Sequence, residues 1–194
     1  MMSRIEGNIA LNICSRFDCE PESLYAYLVR NIGAQYLLRE CRETQSNRSV
    51  CIDEIKEEYG DKVPLNEPWC AQFGFVLHQA AVRHLHSRVV LPRTKGALDM
   101  LNRSKRVPIR VDQFPEAGAI AYRKTKVGTG HIMAVIAVQS NGRIWTIEGN
   151  TNNRVGLRYY DTSTYANGRN GWAFIHVQDY YRNFSNYTTR LEWY

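Results

Sequence analysis

The sequence predicts an α+β fold on three observations. Apolar residues recur at helical spacing through the first half, they recur in short alternating or continuous runs through the second, and polar or glycine turns separate those runs. Helices first and antiparallel strands after argue against a parallel α/β sheet, whose helices and strands alternate.

Each element has its own signal. Asp18 or Glu20 followed by Pro21 opens a predicted helix in which Leu24, Leu28, Ile32 and Tyr36 line one face. A second helix spans Val50–Tyr59 and stops at Gly60. Residues 61–68 form a loop with two prolines, and Trp69 to about His84 is the strongest helix, with Cys70, Phe73, Gly74, Leu77 and Ala81 on one stripe. A weaker helix spans 94–104. The strands are Ala119–Tyr122, Ile132–Gln139, Arg143–Glu148, Val155–Tyr160 and Trp172–Val177, with Ser140-Asn-Gly142 turning the second into the third as a hairpin. The sheet therefore has about five strands. No internal repeat and no dividing linker interrupts the chain.

Length and composition set outer limits. The 194 residues are 44% hydrophobic and 23% charged, which suits one domain with a sizeable core and excludes disordered or collagenous chains. No apolar run approaches the roughly 18 residues of a membrane helix; the longest, Ile132–Val138, is strand-length. Met1–Asn8 lacks the cationic and apolar regions of a secretory leader, so the expectation is synthesis in the cytoplasm without a recognisable signal. The Asn-X-Ser/Thr sequons at Asn47, Asn102, Asn183 and Asn186 therefore carry little weight.

The net charge of +6 favours an anionic partner. Segment 83–110 holds Arg83, Arg88, Arg93, Lys95, Arg103, Lys105, Arg106 and Arg110 against Asp99 alone, enough to account for the whole excess. A solvated face and an anion-facing surface are equally good readings of it. No nucleic-acid motif accompanies the charge, so nucleic acid is a minor reading. The five cysteines, Cys14, Cys19, Cys41, Cys51 and Cys70, are odd in number and contain no CxxC, which gives no support to a zinc site or a redox pair. For any one of them a small buried hydrophobe is the default.

The junctions between elements carry the chemistry. Cys70 opens the strongest helix, where unpaired N–H groups and the helix dipole favour a thiolate. His131 starts an apolar strand after Gly128-Thr-Gly130, and Glu148 ends the next one. In an extended chain residues 148 and 150 share a face, so Glu148 and Asn150 both reach toward one histidine. A nucleophile, a base and a polar orienter make up the set that cysteine acyl transfer requires. Singly, each is an ordinary core or turn residue; the inference rests on the combination.

Three segments in order, Pro68-Trp-Cys-Ala-Gln-Phe73, Gly130-His-Ile-Met-Ala-Val135 and Thr146-Ile-Glu-Gly-Asn-Thr151, resemble the CHAP family, the cysteine, histidine-dependent amidohydrolase/peptidases of phage lysins and bacterial wall enzymes. Asn47-Arg-Ser and Ile52-Asp-Glu-Ile55 resemble its lead-in helix, and the likeness covers roughly residues 36–178. It implies a papain-like core, with the nucleophile helix packed on the antiparallel sheet, and hydrolysis of peptidoglycan amide bonds at the cell wall or periplasm, by a lysin or an interbacterial toxin. Residues 36–194 would be the catalytic domain and residues 1–35 a helical extension or cap.

The resemblance implies roles for Cys70 as nucleophile, His131 as base and then acid, and Glu148 with Asn150 as orienters. Trp69, Gln72 and Gly130 become candidate substrate contacts. Family members often carry an acid where this chain has Ala119, which removes no catalytic group. Some relatives bind calcium through an acidic loop; here Asp61, Asn66 and Glu67 are scattered, so neither a metal nor another cofactor is expected. Expected partners are peptidoglycan and a delivery or immunity protein. Two other classes share these residues: a catalytically silent wall-binding module, and a cysteine amidohydrolase with a non-wall substrate.

Overall fold

The computed structural model describes residues 8–12, 23–61, 66–126, 129–162 and 171–181. Four longer helices come first, α1 (Leu24–Leu38), α2 (Val50–Tyr59), α3 (Cys70–His84) and α4 (Ala97–Ser104). Six strands follow, β1 (Val111–Asp112), β2 (Ile120–Lys126), β3 (Thr129–Val138), β4 (Arg143–Thr151), β5 (Arg154–Asp161) and β6 (Trp172–Ile175), and a short helix, α5 (Gln178–Tyr181). The strands form one antiparallel sheet in the order β1-β6-β2-β3-β4-β5. The α+β class holds, and β1 makes a sixth strand that two residues were too short to signal.

Local chemistry explains the helix ends. Ser23 accepts a hydrogen bond from the Ala26 amide at the start of α1, while the Asp18, Glu20 and Pro21 start signals lie outside the described residues. Ser49 caps α2 the same way, and Gly60 ends it with φ +103°, a left-handed conformation suited to glycine. Asn152 and Asn153 both have positive φ and join β4 to β5 in a tight turn.

The face of α1 differs from its periodicity. Leu24, Leu28, Ile32 and Tyr36 are only half-buried, and the fully covered residues are Tyr25, Ala26, Val29, Arg30, Gly33, Ala34 and Leu37. The helix lies against both α3 and the sheet, and its small residues permit the approach: a Cβ on Gly33 would stand 2.6 Å from Ile147 Cδ1. Close approach decides the face here, with the larger residues sealing its rim. Residues 35 and 36 both lie inside α1, so the boundary expected between extension and catalytic domain falls within a continuous helix, and Ala10 and Tyr25 enter the same core as Ile136.

The main core lies between the helices and one sheet face, and a smaller cluster (Ala119, Ala121, Met133, Val135, Val138, Ile144, Trp172 and Phe174) covers the other. At its centre α3 is buried from Cys70 through His78. Cys41 and Cys51 form a disulfide with Cα atoms 5.6 Å apart, correcting the default of isolated buried thiols. The bridge ties α2 to the segment that runs along β5, where Val155 N–H donates to Cys41 O and Glu43 N–H to Asn153 O. How α2 packs on that segment decides which cysteines meet, and the spacing of the five cysteines does not specify it. Cys14 and Cys19 lie outside the described residues.

Candidate active site

The nucleophile candidate is placed by the start of α3. Trp69 occupies the N-cap position without a capping side chain, so the first-turn amides remain available to whatever faces them. The Trp69 indole is fully buried and donates to Glu43 Oε1 at 3.1 Å. Gly149 lets β4 reach this turn, since a Cβ there would lie 2.5 Å from Phe73 Cβ and 2.7 Å from Trp69 Cζ3. Cys70 is 7% exposed, and among the described residues it is the free cysteine.

His131 comes from β3, paired in register with Arg123, and Glu148 comes from β4, paired with Gly156. His131 Nε2 and Glu148 Oε2 are 3.0 Å apart, with side chains 17% and 1% exposed. With Nε2 so engaged, Nδ1 is the ring nitrogen left to act on Cys70, the residue whose charge His131 is coupled to. Thr146 Oγ1 donates to Glu148 Oε1 at 2.6 Å, and the Tyr160 hydroxyl is near enough to act on the same carboxylate.

These contacts set the charges. Burial pushes the Cys70 thiol up, but the His131 hydrogen bond and charge, with the Ile132 and Ala71 amides, bring it below its ordinary value. Burial pushes His131 down, and its bonds and charge interactions with Cys70 and Glu148 reverse that, raising it to about 9. Burial likewise opposes ionisation of Glu148, and His131, Thr146 and Tyr160 hold its carboxyl below the usual value. Burial and then Glu148 raise Tyr160, which stays a donor. The shifts favour charge separation, the thiolate beside the imidazolium and the imidazolium beside the carboxylate.

The structure thus brings Cys70, His131 and Glu148 together and treats Asn150 differently. Asn150 has φ +59° within a bulge between Glu148 and Thr151, so the expected same-face alternation is broken. Among the described residues no hydrogen bond joins Asn150 to His131 or Glu148. Thr146 could have been found, because residues 146 and 148 alternate onto one face; Tyr160 depends on the β4–β5 register and had no local signal.

A cavity of about 640 Å³ opens over Cys70, lined by Pro68, Lys95, Leu98, Thr129 and Gly130 among others. Gly130 is therefore at the site. Trp69 and Gln72 are fully buried behind it, Gln72 Nε2 donating to Asp61 Oδ2 at 2.8 Å, so both brace the start of α3 and offer no surface to a ligand. Among the described residues no cluster of three or more His, Cys, Asp or Glu side chains could hold a metal, and no helix is long and apolar enough to cross a membrane.

Folding puts half of the basic segment into ion pairs. Arg83 pairs with Glu58 at 2.8 Å, Lys95 with Glu67 at 2.5 Å and Asp61 at 3.0 Å, and Arg103 with Asp99 at 2.8 Å. Arg110 binds Asp112, Glu116 and Asp179, while Arg88 and Arg93 lie over Tyr180 and Tyr59. The continuous cationic belt of the linear sequence is dispersed.

No family model matches the chain, and no curated protein matches it. Among solved structures the chain is similar to an N-acetylmuramoyl-L-alanine amidase from Staphylococcus aureus, at 17% identity and a TM-score of 0.46, over 61% of this chain and 33% of that one.

Proposed function

We propose that the protein is a cysteine amidohydrolase that cleaves an amide bond of peptidoglycan, as a lysin or an interbacterial toxin. The observation that carries the chemistry is the buried line Cys70–His131–Glu148 at a helix N-terminus, with the thiol lowered and the imidazole raised. The wall substrate rests on the three sequence motifs that surround those residues.

The charge state dictates the sequence of steps. The Cys70 thiolate attacks the scissile carbonyl without a prior deprotonation, and the oxyanion forms beside the first-turn amides of α3. His131 then donates its Nδ1 proton to the leaving amine, and a thioester remains on Cys70. A water gives its proton to His131 as it attacks that thioester, releasing the acid and restoring the ion pair. Glu148, fixed by Thr146 and Tyr160, keeps the ring oriented and favours the imidazolium throughout.

The test is digestion of purified sacculi with wild type and Cys70→Ser, with the released fragments read by mass spectrometry. New amine and carboxyl ends made by the wild type alone are expected and name the bond. No cleavage across several wall chemotypes, with both proteins folded, overturns the wall substrate.

A further inference from the structure

A second cavity of about 560 Å³ adjoins the one over Cys70 and shares Leu98 with it. The rest of the partition is Tyr122: its ring lines the second cavity, packs where a Gly130 side chain would stand, and its hydroxyl donates to Thr129 O at 3.3 Å. Thr129 and Gly130 line the Cys70 cavity, so Leu98 and Tyr122 stand between the two cavities.

The charges of the two compartments differ. In the Cys70 cavity, Glu67 and Lys95 pair with one another and Asp99 is held by Arg103 and by the Thr94 hydroxyl at 2.6 Å. In the second, Asp112 is engaged by Arg110 at 2.6 Å, by His176 Nε2 at 2.7 Å and by the Phe114 amide. Lys105 and Lys124 also line this cavity, both exposed, and among the described residues neither forms an ion pair. They are the cations that remain once the neighbouring carboxylates are satisfied.

We infer that this second cavity is a specificity subsite in which Lys105 and Lys124 bind a free carboxylate of the peptide whose amide lies at Cys70. The inference rests on the proposed hydrolase reading and adds the charge preference of the substrate. Two mobile ammonium groups suit a carboxylate on a flexible chain, and the attraction is strongest at low salt.

The experiment separates the subsite from turnover. A fluorescent stem peptide with free carboxylates, and its fully amidated twin, are titrated by anisotropy into Cys70→Ala and into Cys70→Ala with Lys105→Ala and Lys124→Ala, at low and physiological salt. The free acid should bind about tenfold tighter than the amide, and this preference should vanish with the two lysines and survive Arg106→Ala, a charge nearby that does not line the cavity. Equal binding of acid and amide, no binding of the acid, or a preference lost equally in Arg106→Ala each overturns the subsite. These readouts do not depend on sacculus cleavage, so a failed wall digest with an intact lysine-dependent preference overturns the wall substrate and leaves the carboxylate subsite standing.

Discussion

Glu148 holds His131 with one carboxylate oxygen, at 3.0 Å, and takes the Thr146 hydroxyl on the other, at 2.6 Å, while only 1% of its side chain is exposed. A carboxylate this buried is costly unless its oxygens are used, and here the imidazolium takes one and the Thr146 hydroxyl the other. The pair is therefore an ordered electrostatic element, with the ring orientation set from behind.

Replacing that carboxylate should cost more than replacing its neighbour. Glu148→Gln preserves volume but removes the charge, and kcat/KM should fall on the order of 10²–10⁴-fold. Asn150→Ala, with no bond to the ring, should lose less than about tenfold, and Cys70→Ala should abolish turnover. Steady-state kinetics on folded variants decide it; total loss in Asn150→Ala beside a nearly active Glu148→Gln would reverse the assignment.

The ion pair defines a pH window. Activity should rise as the Cys70 thiolate forms, at a pH below the ordinary thiol range, and fall as His131 loses its proton near pH 9. Because Glu148 is one of the groups raising His131, Glu148→Gln should move the alkaline limb to lower pH. A kcat/KM profile whose alkaline limb stays in place in that variant would refute the coupling.

His78, fully buried farther along α3, makes stability depend on acid. Its Nε2 accepts from the Leu91 amide at 3.3 Å, so Nδ1–H donates to Tyr25 Oη at 2.7 Å, and burial holds the ring pKa down to about 3. Above about pH 6.5 both folded and unfolded states carry neutral imidazole and the contribution is complete. As pH falls toward about 3 only the unfolded state gains the proton, so stability drops by about 1.4 kcal/mol per pH unit. Urea midpoints at pH 7, 6 and 5 should converge between wild type and His78→Phe; parallel slopes would exclude His78 as the source.

Reduction of Cys41–Cys51 tests the support behind α3. The bridge closes a sequence separation of 10 residues, for which chain entropy gives about 2–3 kcal/mol. Reduced protein, or Cys41→Ala with Cys51→Ala, should show a lower Tm with turnover kept well below it, since Glu43, not the disulfide, reaches Trp69. An unchanged Tm on complete reduction, verified by thiol counting, would remove the bridge from the stability account.

Cap and turn residues made parts of the fold legible from local sequence. Ser49 and Gly60 bracket α2, and Ser140-Asn-Gly142 turns β3 into β4. Cys70 and His131 were legible as residues at element starts, and Glu148 as one on a strand facing its neighbour. The covered face of α1 was not, because Gly33 meets Ile147 across 114 positions of chain, and neither was β1, which two residues paired with β6 suffice to define.

The sequence by itself determined which elements form and which residues can do acyl-transfer chemistry, since caps, apolar period and side-chain type act over a few neighbouring positions. Tertiary structure decided what those residues meet. The β4–β5 register brings Tyr160 toward Glu148, a bulge with Asn150 at φ +59° breaks the expected alternation, and folding puts half of the basic segment into ion pairs while leaving Lys105 and Lys124 at a cavity. Strand pairing, packing and charge pairing fix these arrangements, and no apolar period or cap signal encodes them.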